Sequence, residues 1–320
     1  MVGKIDVHTH ALPDFFHDIL LSLGREAAGV PMIQWSMEGT KDMMSKLDIS
    51  TSILSLSAPG PEVIPETEGA RALARRYNEW ACETSNADPS RFGFFAALPG
   101  LHDIEGCIAE IRYAFDSLHA DGVCLFTSYG GKYLGDPTFV PIWEELNGRS
   151  AVVFIHPTIA QGSTLASPML QPPAFDFAHE TGRTAAHLIV TGMKRRFPKA
   201  KIILSHAGGT LPLLSERLAQ LEVNLFLDTL DSQSPKSSAE ILADAKSFYF
   251  DLALAGTTNV LDLLLNWAPR THILYGSDYP YATVEAEYNT GKLEEYPIPA
   301  KQRENYYAEN GLDLFPRLRR

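Results

Sequence analysis

In the segment KIDVHTH, residues 4–10, the β-branched Ile5, Val7 and Thr9 alternate with Asp6, His8 and His10. β-branched residues favour an extended backbone, and side chains two apart on a strand point the same way. His8 and His10 therefore aim together from one strand, an arrangement that can chelate an ion. Seven further apolar runs follow: SILSLSA (52–58), FGFFAAL (92–98), GVCLF (122–126), AVVFIH (151–156), KIILSH (201–206), SFYFDLA (247–253) and HILYGSD (272–278). Near-continuous hydrophobic runs of this length are expected of parallel strands buried on both faces.

Amphipathic stretches separate the runs. Ala70, Leu73, Ala74, Tyr77, Trp80 and Ala81 recur at helical spacing within 66–86, and Ile104, Ile108, Ile111, Phe115 and Leu118 do so within 103–119. Further helices are expected over 138–147, 178–196, 211–221, 257–267 and 299–310. Strands alternating with helices predict a (β/α)8 TIM barrel filling one domain, residues 1–320. A doubly wound sheet is the alternative. Two connections are long, from Ala11 to Asp48 after strand one and from Pro157 to Phe175 after strand five. Both follow the strand ends where a barrel carries its active-site loops.

The chain has 320 residues and a formal net charge of −12. Such a surface repels phosphate backbones and anionic lipid, so neither nucleic acid nor membrane is an expected partner. Three cysteines without a CxxC spacing fit a reducing compartment, and Cys124 within GVCLF is expected in the core. The start MVGKIDVHTH has no signal-peptide pattern, and no run approaches transmembrane length. A cytoplasmic enzyme is expected. The basic tail of Arg317, Arg319 and Arg320 is expected to be a solvated end.

His8 and His10 are not alone. His156 ends the fifth run, His206 the sixth and Asp278 the eighth. A single histidine at a strand end is ordinarily a satisfied hydrogen-bonding residue. Five such groups at the same end of four different strands point instead to a divalent metal, with Zn²⁺, Mn²⁺ or Fe²⁺ suited to imidazole and carboxylate together.

IDVHTH, FIHP, SHAGGTLP and LYGSDYP, in this order, resemble the amidohydrolase superfamily, within it the aminocarboxymuconate-semialdehyde decarboxylase-like branch, over nearly the whole chain. GKIDVHTHALPDFF and FYFDLALAG…ILYGSDYPYA are most similar to the fungal 6-methylsalicylate decarboxylases. The resemblance implies His8, His10, His156 and Asp278 as metal ligands and His206 as the catalytic histidine beside them. It implies that Arg217 reaches a substrate carboxylate across a homodimer interface, although an exposed helix charge remains an alternative. A further arginine expected after strand one has no clear counterpart; that loop offers only Arg25 and Lys41. Binuclear members use a carboxylated lysine on strand four or a glutamate as bridge. GVCLFTSYGG contains neither, so one ion is expected, Zn²⁺ first and Mn²⁺ second.

The implied reaction is non-oxidative decarboxylation of an ortho-hydroxy aromatic acid, 6-methylsalicylate to 3-methylphenol and CO₂. A hydrolase or lactonase on the same scaffold is the alternative. Phe15, Trp35, Phe126, Tyr129 and Tyr281 are candidate walls for a flat ring, though each also reads as a structural aromatic. Asp278 is also a candidate proton carrier. Asp251 is open between orienting a ligand from behind and serving as an inward structural carboxylate.

Overall fold

The computed structural model describes residues 3–24, 33–159, 167, 169–226 and 237–319. Its frame is eight parallel strands: β1 (Lys4–Ala11), β2 (Ile49–Leu56), β3 (Phe92–Ala96), β4 (Gly122–Phe126), β5 (Val152–His156), β6 (Lys201–Leu204), β7 (Tyr249–Asp251) and β8 (Ile273–Leu274). Each strand pairs with the next in sequence. Parallel bridges Asp6–Tyr275 and Thr9–Tyr279 then join the last strand's extension back to the first. Sequential neighbours around a closing ring exclude the doubly wound sheet, whose strand order reverses. The expected TIM barrel is the observed fold.

The hydrophobic runs become strands because neither face meets water. All eight residues of β1 are buried, as are all five of β4 and of β5. One cluster gathers Ile5, Val7, Ile53, Phe95, Cys124 and Phe154 from five strands. Cys124 is thus a core residue, as expected.

Helices fill the connections: α1 (Asp14–Ser22), α2 (Met37–Lys46), α3 (Thr67–Ala87), α4 (Ile104–Asp116), α5 (Val140–Gly148), α6 (Asp176–Val190), α7 (Met193–Arg196), α8 (Leu211–Phe226), α9 (Ser238–Lys246), α10 (Thr258–Trp267), α11 (Thr283–Glu295), α12 (Ala300–Glu304) and α13 (Asn310–Leu314). The long connection after β1 is not a bare loop, because α1 and α2 lie within it. Much of the connection after β5 lies outside the described residues, as do Arg25 and Arg320. Among the described residues, no helix is long and apolar enough to cross a membrane.

Helix α3 buries the expected Ala70, Leu73, Ala74, Tyr77 and Ala81. Helix α4 turns the expected Ile111, Ile104, Phe115 and Leu118 to the core, the last three half-buried, and also buries Cys107, Glu110 and Ala114. Glu110 accepts hydrogen bonds from Arg75 Nη2 at 2.9 Å and Asn78 Nδ2 at 2.7 Å. A paired acid turns inward, and apolar periodicity cannot register it.

Arg317 and Arg319 of the C-terminal tail are exposed, as expected, but the tail is anchored rather than free. Leu312, Leu314 and Phe315 join the cluster that holds Ile5, Phe95 and Phe154. Arg317 clasps the carboxylate of Asp121, with Nη2 2.7 Å from Oδ2. The Asp121 side chain is only 4% exposed and that of Arg317 36%, so the pair anchors the tail while the guanidinium still meets water.

Candidate metal centre and active site

The site is built where β1 meets the extension of β8. Asp6 Oδ1 accepts the backbone N–H groups of His8 and Ser277, each at 3.0 Å. Its Oδ2 accepts the hydroxyls of Thr9 at 2.7 Å and Ser277 at 2.6 Å. Burial still lifts the Asp6 carboxyl to about 6. The Asp278 N–H donates to the His8 carbonyl at 2.9 Å, and the His10 N–H to the Tyr279 carbonyl at 2.8 Å. Gly276 permits this approach, because a Cβ there would stand 2.9 Å from the His8 Cβ. One buried carboxylate and one glycine thus set Asp278 beside the two histidines.

His8, His156, His206 and Asp278 each bring a donor atom within 4.8 Å of the others. Among the described residues this is the one such group of metal-binding type. His10 reaches the same point, with its Nε2 3.0 Å from Asp278 Oδ1 and its ring 4.6 Å from that of His156. All five residues foreseen at the strand ends therefore lie together, but the group with mutually close donor atoms holds His206 and three of the four expected ligands, His8, His156 and Asp278, while His10 adjoins it through Asp278.

Behind the cluster stands Asp251. Its Oδ2 lies 2.9 Å from His8 Nδ1, and its Oδ1 accepts the N–H groups of His206 at 2.9 Å and Ala253 at 3.0 Å. A carboxylate at Nδ1 holds the proton there and leaves the Nε2 lone pair facing the cluster. His8 Nε2 lies 3.1 Å from Asp278 Oδ1 but is not aligned for a hydrogen bond. It and His156 Nδ1 are buried without a hydrogen-bond partner. Buried polar atoms are rarely left so. Two orphaned imidazole nitrogens beside a carboxylate are the donor set of a metal site, and these residues fit a divalent ion.

The electrostatics agree. Burial disfavours charge on His8, but Asp251 and Asp278 outweigh it and raise the imidazole to about 10. The potential that favours a positive charge at His8 favours a metal cation at the same point. Burial pushes His156 well below its ordinary value, with His10 and His8 acting in the same direction. Burial also lowers His10 and His206, with Asp278 pulling both back. Burial works against the Asp278 carboxylate, yet His8, His10 and His206 hold it well below the usual range. His206 Nδ1 lies 3.3 Å from the Ala253 carbonyl, which can only accept. The neutral ring therefore carries its hydrogen on Nδ1 and offers Nε2 as a base.

Two residues of the cluster are among the non-glycine positions with positive φ, which also include Asp48, His119, Ser150 and Leu254. His206 has φ +53 and Asp278 has φ +62, with Ala207 at +58. Non-glycine residues in this region cost of order 1–3 kcal/mol each and persist where the surroundings over-determine them.

The expected aromatic walls divide. The Tyr281 ring is 5.1 Å from that of His10, and its hydroxyl is 2.8 Å from Ser57 Oγ. Phe126 stands perpendicular to His156 at 6.4 Å. Tyr129 lies behind Phe126, its hydroxyl accepting the Phe126 N–H at 2.9 Å. Phe15 and Trp35 pack against Trp80 of α3 at 6.4 and 5.8 Å. Arg217 is exposed on α8, away from the cluster's described contacts. Three neighbours of the cluster were not foreseen: Phe154 against His8 at 4.9 Å, Phe177 against His156 at 6.1 Å, and Ser57. Phe154 and Ser57 lie on or just past a strand and carried only that positional signal; Phe177 is an ordinary helix residue by pattern.

The amidohydrolase family profile matches residues 5–317. A 6-methylsalicylic acid decarboxylase of Penicillium expansum is 40% identical over 99% of this chain and 98% of its own. A 6-methylsalicylic acid decarboxylase of Aspergillus aculeatus is 42% identical over 99% of this chain and 97% of its own. A solved structure described as an amidohydrolase II superposes with a TM-score of 0.89 at 26% identity, covering 98% of this chain and 99% of that one.

Proposed function

This chain belongs to the amidohydrolase family, and we propose that it is a metal-dependent carboxy-lyase that converts 6-methylsalicylate to 3-methylphenol and CO₂. The observation that supports this most is the 42% identity across 99% of the chain with an enzyme named for that acid. His8, His10, His156 and Asp278 are the proposed ligands of one ion. Three imidazoles and a carboxylate suit Zn²⁺ first and Mn²⁺ second. When bound, the ion supplies a Lewis acid that can hold the carboxylate and ortho oxygen and stabilise charge on them.

Direct loss of CO₂ from a ring carbon would leave an unstable aryl anion. Protonating the carboxyl-bearing carbon first avoids it: that carbon gains a C–H bond while the ortho oxygen becomes ketone-like. The C–C bond to the carboxylate then breaks, its electron pair restores the aromatic ring, and CO₂ leaves. The chain must therefore deliver a proton to carbon. The ortho hydroxyl loses its proton as that oxygen becomes ketone-like; the free Nε2 of His206 is the proposed group that takes it and passes it to Asp278, the proposed carrier to carbon. Asp251 orients His8 and fixes the backbone N–H of His206. Phe126, Phe154, Phe177 and Tyr281 surround the histidines with apolar surface, which excludes water and favours a flat ring.

A homodimer is part of the proposal. Arg217 shares an exposed stretch of α8 with Leu213 and Leu214, which are 68% and 43% exposed. Cytoplasmic residence is supported by three free cysteines.

The test is incubation of metal-loaded protein with a panel of hydroxybenzoates, following CO₂ and the phenol. 3-Methylphenol and CO₂ in equal amounts from 6-methylsalicylate are expected. A hydrolysed or ring-opened product, with the carboxyl carbon retained, would replace this function with a hydrolase or lactonase.

A further inference from the structure

His206 rests against a buried turn. The turn runs from Asp251, the last residue of β7, to Gly256, and Leu252, Ala253, Ala255 and Gly256 within it are buried. It meets His206 twice. Asp251 Oδ1 accepts the His206 backbone N–H at 2.9 Å, and the Ala253 carbonyl lies 3.3 Å from His206 Nδ1. The second contact decides which ring nitrogen carries the hydrogen, and so leaves Nε2 free.

Local bonds do not secure the whole turn. Leu254 has φ +54, a conformation that costs a non-glycine residue energy and persists where the surroundings fix it. The Ala253 N–H reaches Asp251 Oδ1 at 3.0 Å, and the Ala255 N–H reaches the Leu252 carbonyl at 3.1 Å. Gly256 lies beyond both bonds. Its N–H donates instead to Oδ1 of Asn289, on α11, at 2.9 Å. A buried N–H needs an acceptor, and Asn289 is the described one.

Asn289 is itself fixed. It is buried, and its Nδ2 donates to the Glu285 carbonyl at 2.7 Å, which turns Oδ1 toward Gly256. The two backbones approach closely because residue 256 is glycine: a Cβ there would stand 2.5 Å from the Asn289 carbonyl oxygen. Asn289 has no part in the chemistry derived above.

We propose that Asn289 is a positioning residue for the decarboxylation. It holds the turn from α11, so that the Ala253 carbonyl keeps the His206 hydrogen on Nδ1 and Nε2 faces the reaction. This rests on the decarboxylase function and on the role of His206 proposed above.

The test measures kcat, KM and ion content in metal-loaded Asn289→Leu, which is nearly isosteric and has no acceptor. Asn289→Ala is the second variant if leucine prevents folding. A kcat lower by about tenfold or more is expected, with KM and ion content as in wild type. Asn289→Asp keeps an oxygen facing Gly256 and is expected to recover most of the rate. Added to His206→Ala, Asn289→Leu is expected to lower kcat no further, because it acts through that ring. A wild-type kcat without the Asn289 amide, a loss that follows the ion, or a loss that adds to that of His206→Ala overturns the proposal alone. Normal turnover in His206→Ala overturns the role of His206 and the proposal with it. No CO₂ from any ortho-hydroxy acid overturns the decarboxylase function and the proposal together.

Discussion

Asp251 touches His8 Nδ1 and the backbone of His206 and Ala253, so it sets a proposed ligand and a proposed base at once. In Asp251→Asn the His8 tautomer loses its anchor. Metal affinity is expected to fall about 10–100-fold, as for other partners behind a ligand, measured by competition with a chelating dye. Unaltered affinity would reduce Asp251 to a structural carboxylate. His206 and Asp278 separate by metal content. His206→Ala is expected to lower kcat by roughly 10²–10⁴-fold with metal content intact. Loss of the ion instead would make His206 a ligand, which its place within the 4.8 Å group permits. Asp278→Asn is expected to lose a comparable factor even where metal is retained, and near-normal turnover would end its role as proton carrier.

At the scale of elements, the strands and their tips were legible because each carried two signals at once. β5 is an unbroken apolar run, and it ends on a histidine. Four strands ending that way named the catalytic face before any contact was known. The elements that were misread lacked such coincidence. The burial of Glu110 on α4 carried no signal because its partners, Arg75 and Asn78, are on α3. The pairing of the exposed basic tail was hidden because Asp121 is far away in sequence. Ser57 and Phe177 were invisible for the same reason: their meaning lies in a neighbour from another element. Arg317→Ala would leave the Asp121 carboxylate with the Phe94 N–H, 3.0 Å away, as its remaining described partner. A cost of about 1–3 kcal/mol is expected, seen as a melting temperature lower by several degrees with kcat unchanged. An unmoved melting temperature would show that the tail contributes nothing to barrel stability.

The whole molecule gathers five groups from four strands at one end of a barrel whose far side is packed by its own C-terminus. Arg217 and the exposed Leu213 and Leu214 lie outside that frame, and the proposed dimer gives them a use. Light scattering is expected to give twice the chain mass, and Arg217→Ala to raise KM more than it lowers kcat. A fully active monomer would remove Arg217 from the site. The most direct measurement for the molecule is titration of chelator-stripped protein with Zn²⁺, and separately Mn²⁺, while following CO₂ from carboxyl-labelled 6-methylsalicylate. Release is expected to be absent without metal, to rise with added ion and to level off at one equivalent per chain, with 3-methylphenol appearing mole for mole. Full CO₂ release from metal-free protein, or none at any metal content, would contradict a metal-dependent decarboxylase.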